Sequence, residues 1–238
     1  MKIDTRYRSD ASELMDNFEM EGEILRDALD KIASINRLLG GNKVTIEGVQ
    51  ELLKGQPRSR KIHIVDVGCG NGDMLRTLAD LATKTGYQFQ LTGVDANAFT
   101  IAHAQHLSST YDYIDYQCRD IFNESEAAQQ YDIIVCTLTL HHFSDPDILR
   151  LLRQFTQQSR LGFVINDLQR SRVAYRLFQA LCFVFRLNDM SRDDGLVSIL
   201  RGFKRRDLQT FASQLTIKRS TIRWKWAFRY QWIVQTHG

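Results

Sequence analysis

The chain has 238 residues, 43% of them apolar and 25% charged, and a formal net charge of +3. That length suits one large domain, or one domain with an appendage, able to bury a full core without staples. So small a net charge does not by itself argue for a nucleic-acid partner, and Cys69, Cys118, Cys136 and Cys182 lie too far apart for a CxxC zinc or redox motif. The amino terminus is charged and lacks an apolar signal core. The longest apolar stretch, around 177–187, falls short of the roughly 18 residues that span a bilayer. The expectation is a soluble, cytoplasmic protein with free thiols, no membrane span and no metal site.

In chain order, residues 1–55 read as helical, with Ile24, Leu25, Leu29, Ile32, Ile35 and Leu39 at helical spacing. Gly40-Gly41 stops that helix, and a second, short one over 47–53 ends at Gly55. A polar junction at 56–60 leads into an alternating pattern of strand 61–67, helix 74–85, strand 89–95, helix 98–108 and a weaker strand 113–117. Strand 132–137, helix 147–158 and strand 162–166 follow. Strands separated by helices imply a parallel, doubly wound sheet. Helices over 171–187 and 204–214 come next, and the tail from 217 to 236 reads as two strands joined near 223–226. The expected fold is therefore α/β: a Rossmann-like, mostly parallel seven-stranded sheet with a terminal antiparallel pair. A helical cover over 1–58 precedes a main domain over 59–238, which carries a helical insertion at about 168–203.

The first strand of the alternating part runs straight into Gly68-Cys69-Gly70-Asn71-Gly72. Glycines at a strand-to-helix turn let the backbone approach a ligand, and the following helix presents unpaired N–H groups. A dinucleotide fingerprint requires a third glycine where this chain has Asp73, and an acid there would repel a pyrophosphate. No Gly-Lys-Ser/Thr follows, which excludes a P-loop. The stretch Asp66-Val67-Gly68-Cys69-Gly70-Asn71-Gly72-Asp73 instead resembles the first motif of class I methyltransferases. The resemblance covers roughly 61–167 and the carboxyl-terminal strand pair.

The resemblance implies S-adenosylmethionine as cofactor, held by Asp66, Gly68, Cys69, Gly70 and Asn71. Asp95, ending the second strand, can accept two hydrogen bonds from vicinal ribose hydroxyls, with Ala96 and Asn97 beside it; read alone, Asp95 could equally cap a helix. In the family an acid after the third strand faces the adenine amino group and an apolar neighbour packs on the ring, positions held here by Asp120 and Ile121. Thr137 and Leu138, ending the fourth strand, would lend backbone groups to the methionine amine.

Methyl transfer asks the protein mainly to align a nucleophile behind the methyl group. A phenol, with pKa near 10, gains from a histidine base. His141 and His142 follow the fourth strand, where such a base belongs, although either could merely pack or cap the loop. Asp167, ending the fifth strand, could orient that histidine or bind substrate.

Nucleic-acid methylation is the main competitor. Residues 201–229 hold nine basic side chains and one acidic, interleaved with Trp224, Trp226 and Phe228. A solvated strand face whose other side packs on the helices is the favoured reading. The chain contains no Pro-Pro and no Pro-Cys, which removes two base-methylating classes. The very apolar helix over 171–187 fits three placements: core, dimer interface, or a lid over a hydrophobic acceptor. Segments 13–16, 35–41 and 194–203 resemble a bacterial group of small-molecule methyltransferases of polyketide-type, phenolic or quinone pathways. That likeness implies O-methylation of a small hydrophobic phenolic acceptor, with no specific nucleic acid as partner. An RNA or protein methyltransferase and a non-catalytic cofactor-binding protein remain the alternatives.

Overall fold

A computed structural model describes residues 3–122, 129–185 and 187–236. Five strands run parallel: β1 (Lys61–Val67), β2 (Gln88–Asp95), β3 (Ile114–Cys118), β4 (Tyr131–Thr137) and β5 (Ser159–Leu168). β6 (Arg219–Lys225) and β7 (Arg229–Gln235) form an antiparallel hairpin, and β7 pairs antiparallel with β5. The order β3-β2-β1-β4-β5-β7-β6 makes one seven-stranded sheet whose direction of winding reverses between β1 and β4. That reversal opens a crevice at the carboxyl ends of β1 and β4, where ligands bind in open α/β sheets.

The sheet is covered on both faces because its strands alternate two apolar sets. Ile62, Ile64, Ile133 and Val135 face a core built with α2 (Gly41–Leu52), α3 (Asp73–Thr85) and α4 (Ala98–Leu107). Val65, Val67, Ile134 and Cys136 face the opposite core, built with α5 (Asp145–Gln158) and α8 (Arg205–Ala212). α1 (Glu23–Leu38) joins a third, smaller cluster with Met190 of α7 (Asp189–Arg201).

Four boundaries depart from the sequence reading. Residues 3–22 are extended rather than helical, apart from a single 3-10 turn at Leu14–Asp16. They run across the open end of the sheet, where Arg8 donates to the carbonyls of His141, Phe143 and Arg201. α2 begins at Gly41, because Gly40 alone, at φ 73°, reverses the chain. α7 escaped a periodicity argument because its buried face mixes Met190 and Ile199 with Ser191, Asp194 and Arg201. The β6–β7 turn falls at 226–228, after the expected 223–226.

α6 (Arg172–Phe185) is not core: only Ala174 and Cys182 are buried. Leu177, Phe178 and Leu181 face an internal cavity, while Phe183 and Val184 are 88% and 71% exposed.

Candidate active site

A cavity of about 730 Å³ lies at the carboxyl ends of the parallel strands, between the glycine loop, the amino-terminal segment and helices α6 and α7. That volume is within the ordinary range for a ligand site. The glycine loop forms one wall. Its shape follows from the backbone: Gly68, Gly70 and Gly72 all have positive φ, and the Gly68 and Cys69 N–H groups both donate to the Val94 carbonyl. A Cβ on Gly68 would stand 2.3 Å from Thr139 Cγ2, so the turn admits no side chain.

Around this loop the carboxylates differ in what holds them. Asp95 Oδ2 accepts from Gly70 N at 3.1 Å and Oδ1 from Asn97 N at 3.1 Å. Burial nonetheless raises its pKa. Asp66 is fully enclosed, burial pushes its carboxyl well up, and its Oδ1 meets no hydrogen-bond partner among the described residues. Asp73, at the position that distinguishes this loop from a dinucleotide fingerprint, is bound by Arg37 at 2.6 Å and by Asn42 at 2.7 Å.

The other sequence candidates take two kinds of place. Cys69, Ala96, Asp120, Ile121, Thr137 and Leu138 all line the cavity, with Asp120 and Ile121 at its edge beside 123–128, which lie outside the described residues. Asn71 and Asn97 also border the cavity, but their side chains are committed to the protein. Asn71 Nδ2 donates to Asp30, and its Oδ1 accepts from Asp73 N. Asn97 Oδ1 caps α4 by accepting from Thr100 N, while its Nδ2 donates to the carbonyls of Phe18 and Met20. The Leu138 N–H is taken by the Asn166 carbonyl, at φ 56°.

Beside the loop, a 3-10 turn at Leu140–His142 follows β4, and Thr139 before it donates from Oγ1 to the Gly68 carbonyl. His141 is 2% exposed. Its Nδ1 lies 2.7 Å from Asp167 Oδ1, and its own N–H donates to Asp167 Oδ2. A carboxylate at Nδ1 selects the tautomer that protonates Nδ1 and leaves a lone pair on Nε2. That Nε2 meets no hydrogen-bond partner and stands 3.9 Å from Glu13 Oε1. Asp167 does not border the cavity; it sits behind His141. Burial opposes its charge, but the His141 ring beside it holds its pKa below the ordinary value.

His142 repeats the arrangement: Nδ1 is 2.7 Å from Asp16 Oδ1, and Nε2 is 3.9 Å from Glu13 Oε2. Glu13 accepts from Ser198 Oγ, and burial pushes its pKa up to about 7. Burial would raise Asp16 too, but hydrogen bonds from His142 and Arg201 hold it well below the carboxylate range. Glu13, Asp16, Ser198 and Arg201 were missed as site residues by sequence reasoning. They come from an extended segment and a helix some 185 positions apart, and no local spacing signals that meeting.

Glu13, His141 and His142 bring ligand-type atoms within 4.8 Å of one another, close enough to hold a metal ion. Arg201 stands 3.6 Å from Glu13 and 2.6 Å from Asp16, a fixed positive charge that opposes a dication there. The cluster is better suited to moving a proton. Beyond it the wall is apolar, with Met15, Phe18, Leu177, Phe178, Leu181 and Ile199.

Residues 64–162 match the family model described as "Methyltransferase domain". Over that stretch the chain is similar to methyltransferase domains. It is 40% identical over 85 residues to the ubiquinone biosynthesis O-methyltransferase of Coxiella burnetii, covering 35% of this chain and 34% of that protein. It is 32% identical over 113 residues to a non-reducing polyketide synthase of Emericella nidulans, 44% of this chain and 5% of that one. The chain thus spans about a third of the length of the first of these curated relatives. Among solved structures, the plantazolicin methyltransferase in complex with SAH superposes with a TM-score of 0.65 at 14% identity, covering 90% of this chain and 94% of that one. The chain therefore has the seven-stranded fold expected from its sequence, shared with that structure.

Proposed function

We propose that this domain transfers a methyl group from S-adenosylmethionine to the oxygen of a small, hydrophobic, phenolic or quinone-like acceptor. One observation carries the reading: a single cavity is lined by the glycine loop, Asp95, two carboxylate-oriented histidines and an apolar wall. The local residues fit the cofactor. The loop leaves room for a close ligand, Asp66 Oδ1 is a buried acceptor in want of a donor, and the Asp95 carboxylate is pre-aimed by two backbone amides.

In this reading Asp95 accepts from the ribose hydroxyls, Asp120 faces the adenine amine and Ile121 packs on the ring. The carbonyls of Thr137 and Leu138 accept from the methionine ammonium, because the Leu138 N–H is already engaged. When bound, the cofactor supplies an electrophilic methyl on its sulfonium. His141 or His142 takes the phenolic proton on Nε2; Asp167 and Asp16 hold the rings and stabilise the imidazolium that results. Glu13, facing both Nε2 atoms, is the next acceptor in line.

We read residues 1–58 as a cover and the insertion at 168–203 as a lid whose inner face meets the acceptor. The exposed outer face of α6 is what self-association into a homodimer would cover. Free thiols at all four cysteines suit a cytoplasmic setting. No helix is long and apolar enough to cross a membrane among the described residues. An RNA or protein acceptor is ranked lower, since part of the basic tail is already paired: Arg223 with Glu51, and Lys225 with Glu47. The test is calorimetric binding of SAH, followed by transfer of labelled methyl to an alkylphenol. Absence of binding at millimolar SAH removes the cofactor reading, and labelling of RNA in preference to phenols removes the acceptor reading.

A further inference from the structure

One buried cation in the cavity wall has no role in the chemistry above. Arg229 is 3% exposed, borders the cavity, and its Nε and Nη1 meet no hydrogen-bond partner among the described residues. Its guanidinium lies against the α1–α2 turn: a Cβ on Gly41 would be 2.9 Å from Arg229 Cζ and 1.9 Å from Asn36 Oδ1. Burial lowers its pKa to about 10, which leaves it charged at neutral pH, and the nearest opposing influence is Asp167. The Asp167 oxygens, however, already accept from His141 N, His141 Nδ1 and Leu168 N. A buried cation without a hydrogen-bonded partner is costly, and a guanidinium presents a fork that matches a carboxylate.

We propose that Arg229 is the receptor for a carboxylate on the methyl acceptor. The position favours the acceptor over the cofactor's own carboxylate. Arg229 opens β7 and stands in register with Leu168 at the end of β5. With β4 and β5 between them, β7 and the glycine-loop strand β1 are about 14 Å apart at the usual strand spacing. The Arg229 backbone therefore lies on the far side of β4 and β5 from the loop, while its guanidinium reaches the α1–α2 turn. Trp226 and Phe228 of the adjoining turn line the same cavity, as does the apolar face of α6. An apolar phenol that also carries a carboxylate, a salicylate-type molecule with an alkyl arm, satisfies both surfaces at once. The identity of the ligand as the methyl acceptor rests on the function proposed above; the anion-binding role of Arg229 does not.

The experiment is isothermal calorimetry with two probes, an alkylated salicylate and the matching alkylphenol without the carboxyl, each with and without SAH. Wild-type protein should bind the carboxylate about ten- to a hundredfold more tightly, the range expected of charge-assisted hydrogen bonds. Arg229→Gln should abolish that preference while leaving SAH affinity within about twofold, and Arg229→Lys should keep part of it, since it retains the charge. SAH binding doubles as the check that each variant is folded. Equal binding of the two probes by wild-type protein overturns the proposal without any variant. A preference that survives in Arg229→Gln overturns it, and so does a tenfold loss of SAH affinity with the acceptor preference intact. Failure of the wild type to bind SAH would sink the cofactor reading alone, because the probe comparison without SAH still decides on Arg229.

Discussion

His141 and His142 are held in the same way but exposed differently. Each ring is fixed through Nδ1 by a carboxylate, and each Nε2 points toward Glu13, yet His141 is enclosed while His142 is part-exposed. If one of them is the base, changing it to Gln should lower kcat on an unactivated phenol by about 10²–10⁴-fold. The loss should shrink for a more acidic phenol, and SAH affinity should stay nearly constant. Wild-type kcat in both single variants would leave orientation as the sole contribution. Asp95 makes the complementary case on the cofactor side of the proposed reaction. SAH should raise Tm by mass action, and Asp95→Ala should remove most of that shift in a thermal melt.

At the scale of elements, Asn97 ties two parts of the cavity together. It caps α4 through Oδ1 and holds the amino-terminal segment through Nδ2. Loss of a cap alone costs about 0.5–2 kcal/mol. Asn97→Ala should therefore reduce unfolding free energy by about that amount in a denaturant melt. It should also increase amide exchange at 13–20, where a change confined to α4 would leave exchange untouched. α6 carries the opposite kind of surface. Its outer residues Phe183 and Val184 are largely exposed, so Phe183→Ser with Val184→Ser should alter stability by no more than about 0.5 kcal/mol. If that face joins two copies, the same pair of changes should shift the protein to monomer in sedimentation.

For the molecule as a whole, stability should fall across mildly acid to neutral pH on account of Glu13. Its folded pKa of about 7 exceeds the ordinary 4.5, so between those values the folded state binds more protons than the unfolded one. Stability is then greatest below the lower value and declines as pH rises through the upper, by about 3 kcal/mol in total. Burial sets this shift and the Asp16 charge adds to it, while His142, Ser198 and Arg201 oppose it. Glu13→Gln should flatten the decline in Tm between pH 5 and pH 8; an unchanged slope would show that Glu13 ionises normally. The basic carboxyl-terminal hairpin offers a second whole-molecule test. Short RNA should bind weakly and lose affinity steeply with salt, and a tight, sequence-selective complex at physiological salt would reverse the ranking of acceptors.

The fold was legible from the sequence because its signals are local. The apolar alternation of 61–67 and 132–137, the glycines at 68, 70 and 72, and Asp95 at a strand end each declare themselves within a few residues. The histidines after β4 were legible for the same reason. The partners that define their chemistry were not. Asp16 and Glu13 arrive from an extended segment that sequence periodicity misread as helix, and Ser198 and Arg201 come from a helix whose buried face is too polar to show a stripe. Nor does any pattern reveal that Arg229, one of nine basic residues in 201–229, is buried in a cavity wall while Arg223 and Lys225 pair with acids on α2. Residue order therefore determined the sheet, the loop and the place of the cavity, since backbone periodicity and turn chemistry act over short range. Tertiary structure alone decided which charges meet, because burial and pairing depend on chain segments separated by up to two hundred residues.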